Sequence, residues 1–344
     1  MKLSKTFSDF VDSEKSSALV LMACTVICLL IANSPWGPTY LQFWHRQFAG
    51  MSLEHWVNDA LMAVFFLLIG LELERELYVG ELSSLKNALL PIVAALGGII
   101  VPAGIHFALN SGTQTQAGSG IPMATDIAFA IGALALLGSR VPPMLKVFMT
   151  ATAVMDDLGA IVVIAVFYSS QFSLVYLLAA LTVFAVLVLF NRVLRISALT
   201  PYLLGGALMW FLMVKSGVHA TIAGVLLAFA IPFASKARQE ESPSHRLEHR
   251  LHKPVAFVIL PLFALANTGV VFDPAWQQGL TSLNSLGIIA GLVIGKPIGI
   301  VLLSYIAVVT GLCRLPADLT WRHIIGVGIL AGIGFTMSIF ITNL

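Results

Sequence analysis

Apolar runs of about 20 residues recur along almost the whole chain, and this recurrence restricts the possible folds more than any other feature. A helix of that length crosses a hydrocarbon layer of roughly 30 Å. Among the 344 residues, 58% are hydrophobic and only 10% are charged. A soluble domain of this size has about a quarter of its residues charged. The pattern therefore predicts an all-α integral membrane protein.

Eleven apolar runs of this kind can be counted, and each predicts a transmembrane helix. They are Ser17 to Ala32, Val57 to Leu77, Ala88 to Leu109, Ile121 to Leu137, Val141 to Tyr168, Phe172 to Phe190, Thr200 to Val214, Gly217 to Phe233, Pro254 to Phe272, Leu283 to Leu312 and His323 to Asn343. The polar stretch from Ser235 to Lys253 predicts a cytoplasmic loop between the eighth and ninth spans. We expect a single transmembrane transporter domain over residues 1–344.

The basic residues predict the orientation of the chain. If the amino terminus is cytoplasmic and the spans alternate, every Lys and Arg except Arg46, Lys215 and Lys296 falls on the cytoplasmic side. Basic residues accumulate in short cytoplasmic loops, so this distribution supports the topology. It also accounts for the net charge of +2 and gives no reason to expect nucleic-acid binding.

Two spans are poorly suited to be simple helices. The fourth follows the polar tract Ser111 to Gly120 and has Pro122 just ahead of Thr125 and Asp126, whereas the eleventh has glycines at 326, 328, 332 and 334. Interrupted spans indicate a transporter site, because unwound backbone at membrane depth persists only where it lines a cavity. Close helix packing through small residues is an equally good explanation for the eleventh span alone.

Asp126, Asp156, Asp157 and Lys296 are charged residues that fall well inside predicted spans. A charge at the centre of a spanning helix costs about 2.5 to 3.5 kcal/mol, so four unpaired charges would cost on the order of 10 kcal/mol. Lys296 could pair with one aspartate as a purely structural contact, but two carboxylates would remain unexplained. Those two are the predicted cation site.

The chemistry of carboxylates predicts what such a site would do. Carboxylate oxygens are hard ligands that suit a hard cation such as sodium, and carbonyls of a broken helix can supply further ligands. Asp156 and Asp157 point about 100° apart on a helix, so we expect them to have different roles. The same oxygens bind either a proton or a cation, and this competition together with alternating access would exchange one for the other.

At these residues the sequence resembles the NhaA family of sodium/proton antiporters. The stretches that carry the resemblance cover nearly the whole chain in family order. They are Asn58 to Phe66, Gly70 to Glu72, Arg75-Glu76, Ala124 to Ala130, Asp156 to Ala160, Gly217 to Ala220, Gly295 to Pro297 and Gly332 to Phe340.

The resemblance implies an inverted-repeat transporter fold in which spans four and eleven are broken and cross at mid-membrane. Asp157 would be the principal carrier of the cation and proton, and Asp156 would pair or exchange protons with Lys296. Asp126 would compensate the helix ends and, with Thr125 on the unwound chain, help to bind the cation. The implied activity is electrogenic export of sodium or lithium in exchange for protons, without a cofactor.

The resemblance also implies a cytoplasmic charge cluster for pH regulation. The matching residues are Glu72, Arg75, Glu76, Arg246, Glu248, His249 and His252. Composition alone favours a solvated charged face there, although histidine titrates in the relevant pH range. We expect a multi-pass protein of the bacterial inner membrane that contacts lipid, for which a homodimer is one conceivable assembly. Family members have twelve spans, so the eleven predicted here leave the second repeat without its third helix.

Other classes of function fit the sequence less well. An intramembrane aspartyl protease would need carboxylates from separate helices converging on one water, and its expected Gly-x-Gly-Asp is missing. A cation channel would usually have rings of residues from repeated subunits, whereas one asymmetric set of aspartates and a lysine suits a carrier. Exchange of potassium or another monovalent cation for protons is excluded by the resemblance and not by the chemistry. We therefore expect a transporter and no enzyme activity.

Overall fold

The computed structural model describes residues 5–167, 173–234, 242–272 and 276–343. These residues form helices connected mostly by short segments. The helices are α1 (Lys5–Ala32), α2 (Gly37–Trp44), α3 (Leu53–Tyr78), α4 (Leu85–Asn110), α5 (Ile127–Leu136), α6 (Pro143–Phe167), α7 (Leu174–Arg192), α8 (Leu199–Ser216), α9 (Ile222–Ala230), α10 (243–267), α11 (Trp276–Leu280), α12 (Leu283–Val309), α13 (Trp321–Ala331) and α14 (Phe335–Thr342).

Some segments depart from regular α-helix. Three helices contain a π-helical stretch, namely Trp56–Leu61 in α3, Val255–Ile259 in α10 and Gly291–Gly295 in α12. The 3-10 helices are Glu81–Ser83, Gln114–Met123 and Gly138–Arg140. A small antiparallel ribbon, β1 (Gln47–Phe48) and β2 (Met51–Ser52), pairs residue 47 with 52 and 48 with 51. Ala49 and Gly50 both have positive φ, as a tight hairpin turn requires.

Helices with the length and composition of membrane spans recur along the described residues. Six helices are long and apolar enough to cross a bilayer, and up to eight are if each bent pair counts as one span. The prediction of an all-α membrane protein is confirmed, but the predicted count of eleven spans is not. The eighth predicted span is reduced to α9, because Gly217, with a φ of 76°, ends α8 and Pro232 follows α9.

Both predicted interruptions are present. The fourth span consists of the 3-10 helix Gln114–Met123, the extended residues 124–126 and α5, so it begins seven residues earlier than predicted and includes part of the polar tract. The eleventh span bends by 43° between α13 and α14. The chain is also interrupted between α1 and α2, a break that was not predicted.

The predicted cytoplasmic loop is partly helical. Residues 235–241 lie outside the described residues, and residues 243–253 form the beginning of α10, which continues into the ninth predicted span. The hydroxyl of Ser242 accepts a hydrogen bond from the backbone N–H of His245, and Pro243 occupies the first turn. Both features favour the start of a helix, which explains why the polar sequence is helical here.

The chain divides into two compact units. Unit 1 contains the described residues of Met1–Asn33, Glu81–Val163 and Val270–Leu344. Its core includes Leu90, Phe148, Ile300 and Val327. Helices α4 and α12 pack very closely in this unit, because a Cβ added to Gly97 would lie only 2.1 Å from the carbonyl oxygen of Gly299. Small residues at such crossings are typical of membrane helices.

Unit 2 contains the described residues of Ser34–Gly80 and Ile164–Gly269. Its core is formed by side chains of α3 and α7 to α10, among them Leu71, Tyr202, Met209 and Leu227. The phenol of Tyr202 is buried and its hydroxyl donates to the carbonyl of Ile196 at 2.9 Å. The buried phenol thus ties α8 to the segment that precedes it.

Candidate functional site

The two interrupted spans of unit 1 meet at their breaks. The backbone N–H of Asp126 donates to the carbonyl of Ile333 at 2.7 Å, and the hydroxyl of Thr125 lies 3.0 Å from the carbonyl of Ala331. Buried backbone polar groups need partners, and here each break supplies partners for the other. The extended chain at 124–126 is therefore held at a defined position beside the end of α13.

Asp126 binds the amino-terminal ends of two helices. Its carboxylate accepts from the N–H of Phe129 in the first turn of α5 at 3.0 Å. It also accepts from the N–H of Thr336 in α14 at 3.0 Å and from the Thr336 hydroxyl. A carboxylate stabilises helix amino termini because these carry partial positive charge. The sequence prediction did not include Thr336 in the site, although its position directly after the glycine break was a usable signal.

Lys296 binds the carboxyl-terminal end of a helix, which carries partial negative charge. Its side chain is fully buried, and its ammonium donates to the carbonyl oxygen of Met123 and to the Asp156 carboxylate. Met123 is the last residue of the 3-10 helix, where carbonyl groups lack partners within the helix. Lys296 follows directly after the π-helical stretch of α12.

Asp156, on α6, uses its two carboxylate oxygens differently. Oδ2 accepts from Lys296 and also from the hydroxyl of Thr125 at 2.6 Å. Oδ1 has no hydrogen-bond partner within residues 5–167, 173–234, 242–272 and 276–343. The carboxylate is only 1% exposed, so this second oxygen is enclosed without being bonded by any of those residues.

Asp157 is equally buried, with 1% of its surface exposed, and it interacts electrostatically with Lys296. The site thus brings together Thr125, Asp126, Asp156, Asp157 and Lys296, all within unit 1. The described residues contain no group of three or more His, Cys, Asp or Glu side chains able to hold a metal ion. A cation here would need hydroxyl or backbone oxygens in addition to the carboxylates.

The predicted regulatory residues lie in unit 2, where α3 and α10 bring several of them into contact. The guanidinium of Arg75 lies 3.4 Å from carboxylate oxygens of both Glu76 and Glu248. The imidazole of His252 lies 3.8 Å from Glu72. These five residues form what we call the charge cluster.

Two predicted members of the charge cluster, Arg246 and His249, lie instead on the exposed side of α10. Conversely, the sequence prediction did not include Glu74, whose carboxylate accepts a hydrogen bond from the Ser244 hydroxyl at 3.0 Å. It also assigned no role to His245, whose imidazole lies 3.6 Å from the carboxylate of Glu248. The spacing of residues 244, 245, 248 and 252, which places them on one helix face, could have separated the two groups.

Comparison with known proteins identifies the family. A sequence model described as Na+/H+ antiporter 1 matches residues 8–344. A Na(+)/H(+) antiporter NhaA from Dechloromonas aromatica is 72% identical over 343 residues, which cover 100% of this chain and 88% of that protein. Na(+)/H(+) antiporter NhaA 1 from Flavobacterium johnsoniae is 58% identical over 344 residues, covering 100% of this chain and 90% of the relative.

A solved structure supports the fold. The sodium proton antiporter MjNhaP1 from Methanocaldococcus jannaschii, solved at pH 8, superposes with a TM-score of 0.51 at 14% sequence identity and 98% coverage of both chains. At that identity the likeness concerns the fold alone. The full-length matches to NhaA proteins confirm the resemblance found in the sequence: this chain belongs to the Na+/H+ antiporter 1 family.

Proposed function

We propose that this protein is a membrane antiporter that exports sodium, or lithium, in exchange for protons by alternating access. The observation that carries the proposal is that three buried aspartates and one buried lysine lie in the unit where two helix breaks contact each other. Burying four ionisable groups is costly and is expected mainly where ions or protons are moved. The names of the relatives agree with this activity.

Within this proposal Asp157 is the principal carrier, and Asp126 and Thr125 contribute oxygen ligands. A carboxylate that holds a proton cannot balance the charge of a sodium ion, so the two substrates compete. Lys296 and Asp156 keep a compensated pair next to the carrier and can exchange a proton. Because more protons enter than sodium ions leave, the exchange is electrogenic.

The cellular setting is also part of the proposal. The distribution of basic residues supports a cytoplasmic amino terminus. The proposed location is the bacterial inner membrane. Membrane lipid surrounds the apolar helices, and a homodimer is compatible with the function. The charge cluster is proposed to adjust the rate to pH, since it combines a histidine with carboxylates at contact distance. Arg246 and His249, on the exposed side of α10, are given no part in this proposal.

An ion-addition experiment tests the activity. Purified protein in liposomes with an acidic interior is given sodium, lithium or potassium, and the loss of the pH gradient is followed by dequenching of an acridine dye. We expect sodium and lithium to dissipate the gradient and potassium to have little effect. Dissipation by potassium alone would replace the proposed substrate, and ion flux without coupled proton movement would indicate a channel.

Competition at a shared site predicts a specific pH dependence. Where the carboxylates are mostly protonated, each fall of one pH unit should raise the apparent KM for sodium by about tenfold, because sodium must displace at least one proton. Saturating sodium should then restore most of the rate. Measuring rate against sodium concentration at several pH values gives the result, and a KM that does not change with pH would contradict a shared site.

A further inference from the structure

A cavity of about 530 Å³ lies inside unit 1 at the end that carries Arg314. Its walls come from the beginning of α4, the first part of α6 and the segment after α12, and they include Asn87, Phe148 and Ala151. In the proposed topology this end of the unit faces the cytoplasm. The volume is many times that of one water molecule, whose share of liquid volume is about 30 Å³.

Thr152 is the residue directly after the cavity-lining Ala151 on α6. Its side chain is 1% exposed, and its hydroxyl has no hydrogen-bond partner within the described parts of the chain. A buried hydroxyl left without a partner costs about 1 to 3 kcal/mol. A threonine inside a helix commonly bonds to the carbonyl four residues earlier, but Thr152 does not.

Asp156 lies one helical turn beyond Thr152 and on the same face of α6. Its Oδ1 is the carboxylate oxygen that neither Lys296 nor Thr125 contacts. This oxygen faces Gly98 of α4, where an added Cβ would lie 3.5 Å from it. The absence of a side chain at Gly98 leaves space beside Oδ1 that another residue would partly fill.

We propose that Thr152 relays protons between this cavity and Oδ1 of Asp156, along a route separate from the path of the sodium ion. The proposal rests on the antiport function proposed above. Side chains one turn apart on a helix have Cβ atoms about 5 to 6 Å apart, a gap that one water can bridge. A bridging water would supply the partner that neither buried oxygen has among the described residues, and the cavity would supply the next water.

The transfer conserves every atom. A proton leaving the carboxyl group of Asp156 passes to the bridging water, which passes one of its own protons to the hydroxyl oxygen of Thr152. The hydroxyl then releases its original proton to a water in the cavity. One proton has moved from the carboxyl group to the cavity, and each water and hydroxyl is restored. Transfer in the opposite direction uses the same steps reversed.

The test compares two kinds of exchange in liposomes containing the full-length protein. Sodium-driven proton release requires the relay, whereas exchange of radioactive sodium for unlabelled sodium requires no net proton transfer. Thr152→Val keeps the side-chain shape and removes the hydroxyl; Thr152→Ser keeps the hydroxyl. Thr150→Val is the matched control, because Thr150 is on the same helix two residues away and points about 200° from Thr152.

We expect Thr152→Val to lower the maximal rate of sodium-driven proton release by about a hundredfold, the scale of a lost proton-transfer group. Its sodium–sodium exchange and apparent KM for sodium should stay within about twofold of the parent protein. Thr152→Ser should retain proton release, and Thr150→Val should resemble the parent. If Thr152→Val fails to fold, Thr152→Ala provides the same hydroxyl-free comparison.

Two results would overturn the relay. One is sodium-driven proton release by Thr152→Val at the rate of the parent protein. The other is an equal loss of both kinds of exchange, which would show that Thr152 only maintains the structure. Failure of the antiport proposal itself would look different, because the parent protein would then release no protons on addition of sodium.

Discussion

The carboxylate site of unit 1 and the charge cluster of unit 2 both combine carboxylates with a basic residue, but they differ in how far these side chains are buried and in how many partners each one has. In the site, Asp156 and Lys296 are at most 1% exposed, and each makes short, specific contacts. In the charge cluster, Arg75 keeps 29% of its side chain exposed and lies 3.4 Å from two competing carboxylates. In the site the contacts of each charged group are specific, whereas in the charge cluster the guanidinium of Arg75 is shared between two carboxylates.

This difference has an energetic consequence. Breaking a buried ion pair leaves an uncompensated charge and costs several kcal/mol, whereas a partly exposed pair is worth about 1 kcal/mol or less. Substitutions in the site should therefore abolish function or reduce stability. Substitutions in the charge cluster should only adjust the pH response.

The largest effect is expected at Asp157. Asp157→Asn should abolish sodium-driven proton release, because the amide keeps the shape but neither takes up a proton nor balances a cation. Glu76→Gln, the same chemical change in the charge cluster, should retain most of the maximal rate. Dequenching in liposomes measures both variants. Equal rates in the two would remove Asp157 from the mechanism and erase the contrast between the regions.

Lys296→Ala should cause the next largest effect. It leaves the Asp156 carboxylate buried without its cation, at a cost of about 3 to 5 kcal/mol, and any exchange that survives should lose electrogenicity. Thermal denaturation in detergent should show a clearly lowered Tm. The double variant Lys296→Ala, Asp156→Ala should recover part of that loss, because no uncompensated charge remains. A single variant as stable as the parent would show that the pair is not structural.

A smaller effect is expected from Thr336→Val. This change removes a hydroxyl that donates to Asp126 but keeps the backbone N–H contact, so the loss should be about 1 to 3 kcal/mol. Thr342→Val on the same helix is the control, since the Thr342 hydroxyl donates to the carbonyl of Ser338 within that helix and not to Asp126. Tm and the apparent KM for sodium should change in the first variant and not in the second. Identical behaviour would mean that the Thr336 hydroxyl does not hold Asp126.

The smallest effect separates two histidines of α10. Protonated His252 is attracted to Glu72 at 3.8 Å, and this attraction disappears when the imidazole loses its proton as pH rises. His252→Ala should therefore change how the maximal rate depends on pH between about 6.5 and 8.5, at saturating sodium. Exposed His249, substituted in the same way, should leave the profile unaltered. The proposed role of the charge cluster would fail if His252→Ala also left it unaltered.

Several features of unit 1 could be predicted without coordinates. Pro122 and the glycines of the eleventh span predicted both helix interruptions, because proline lacks an N–H donor and glycine weakens helices. The buried charges identified Asp126, Asp156, Asp157 and Lys296, because charges inside apolar runs need a functional or paired explanation. The structure places all four in one unit.

Other features depended on contacts between distant parts of the chain. Gln114–Met123 is partly polar, yet it forms a 3-10 helix. The carbonyls of Ile121 and Met123 in this helix accept hydrogen bonds from the side chains of Ser338 and Lys296, which lie far away in the sequence. The helix α2 and the ribbon β1–β2 arise in a segment without clear periodicity. Spacing along α10 places His252 and His249 on different faces, but only the structure shows that the face with His252 is the one that packs against α3.

The sequence by itself determined that this chain belongs in a membrane and which few ionisable residues are buried there, because solvation by lipid penalises every charge regardless of its neighbours. Only the tertiary structure decided that Lys296 also contacts Met123, that Thr336 binds Asp126, and that one oxygen of Asp156 stays unbonded by the described residues. Those contacts depend on distances of a few ångströms between segments separated by more than a hundred residues. Local composition does not encode such distances, since hydrogen bonds form or fail within fractions of an ångström.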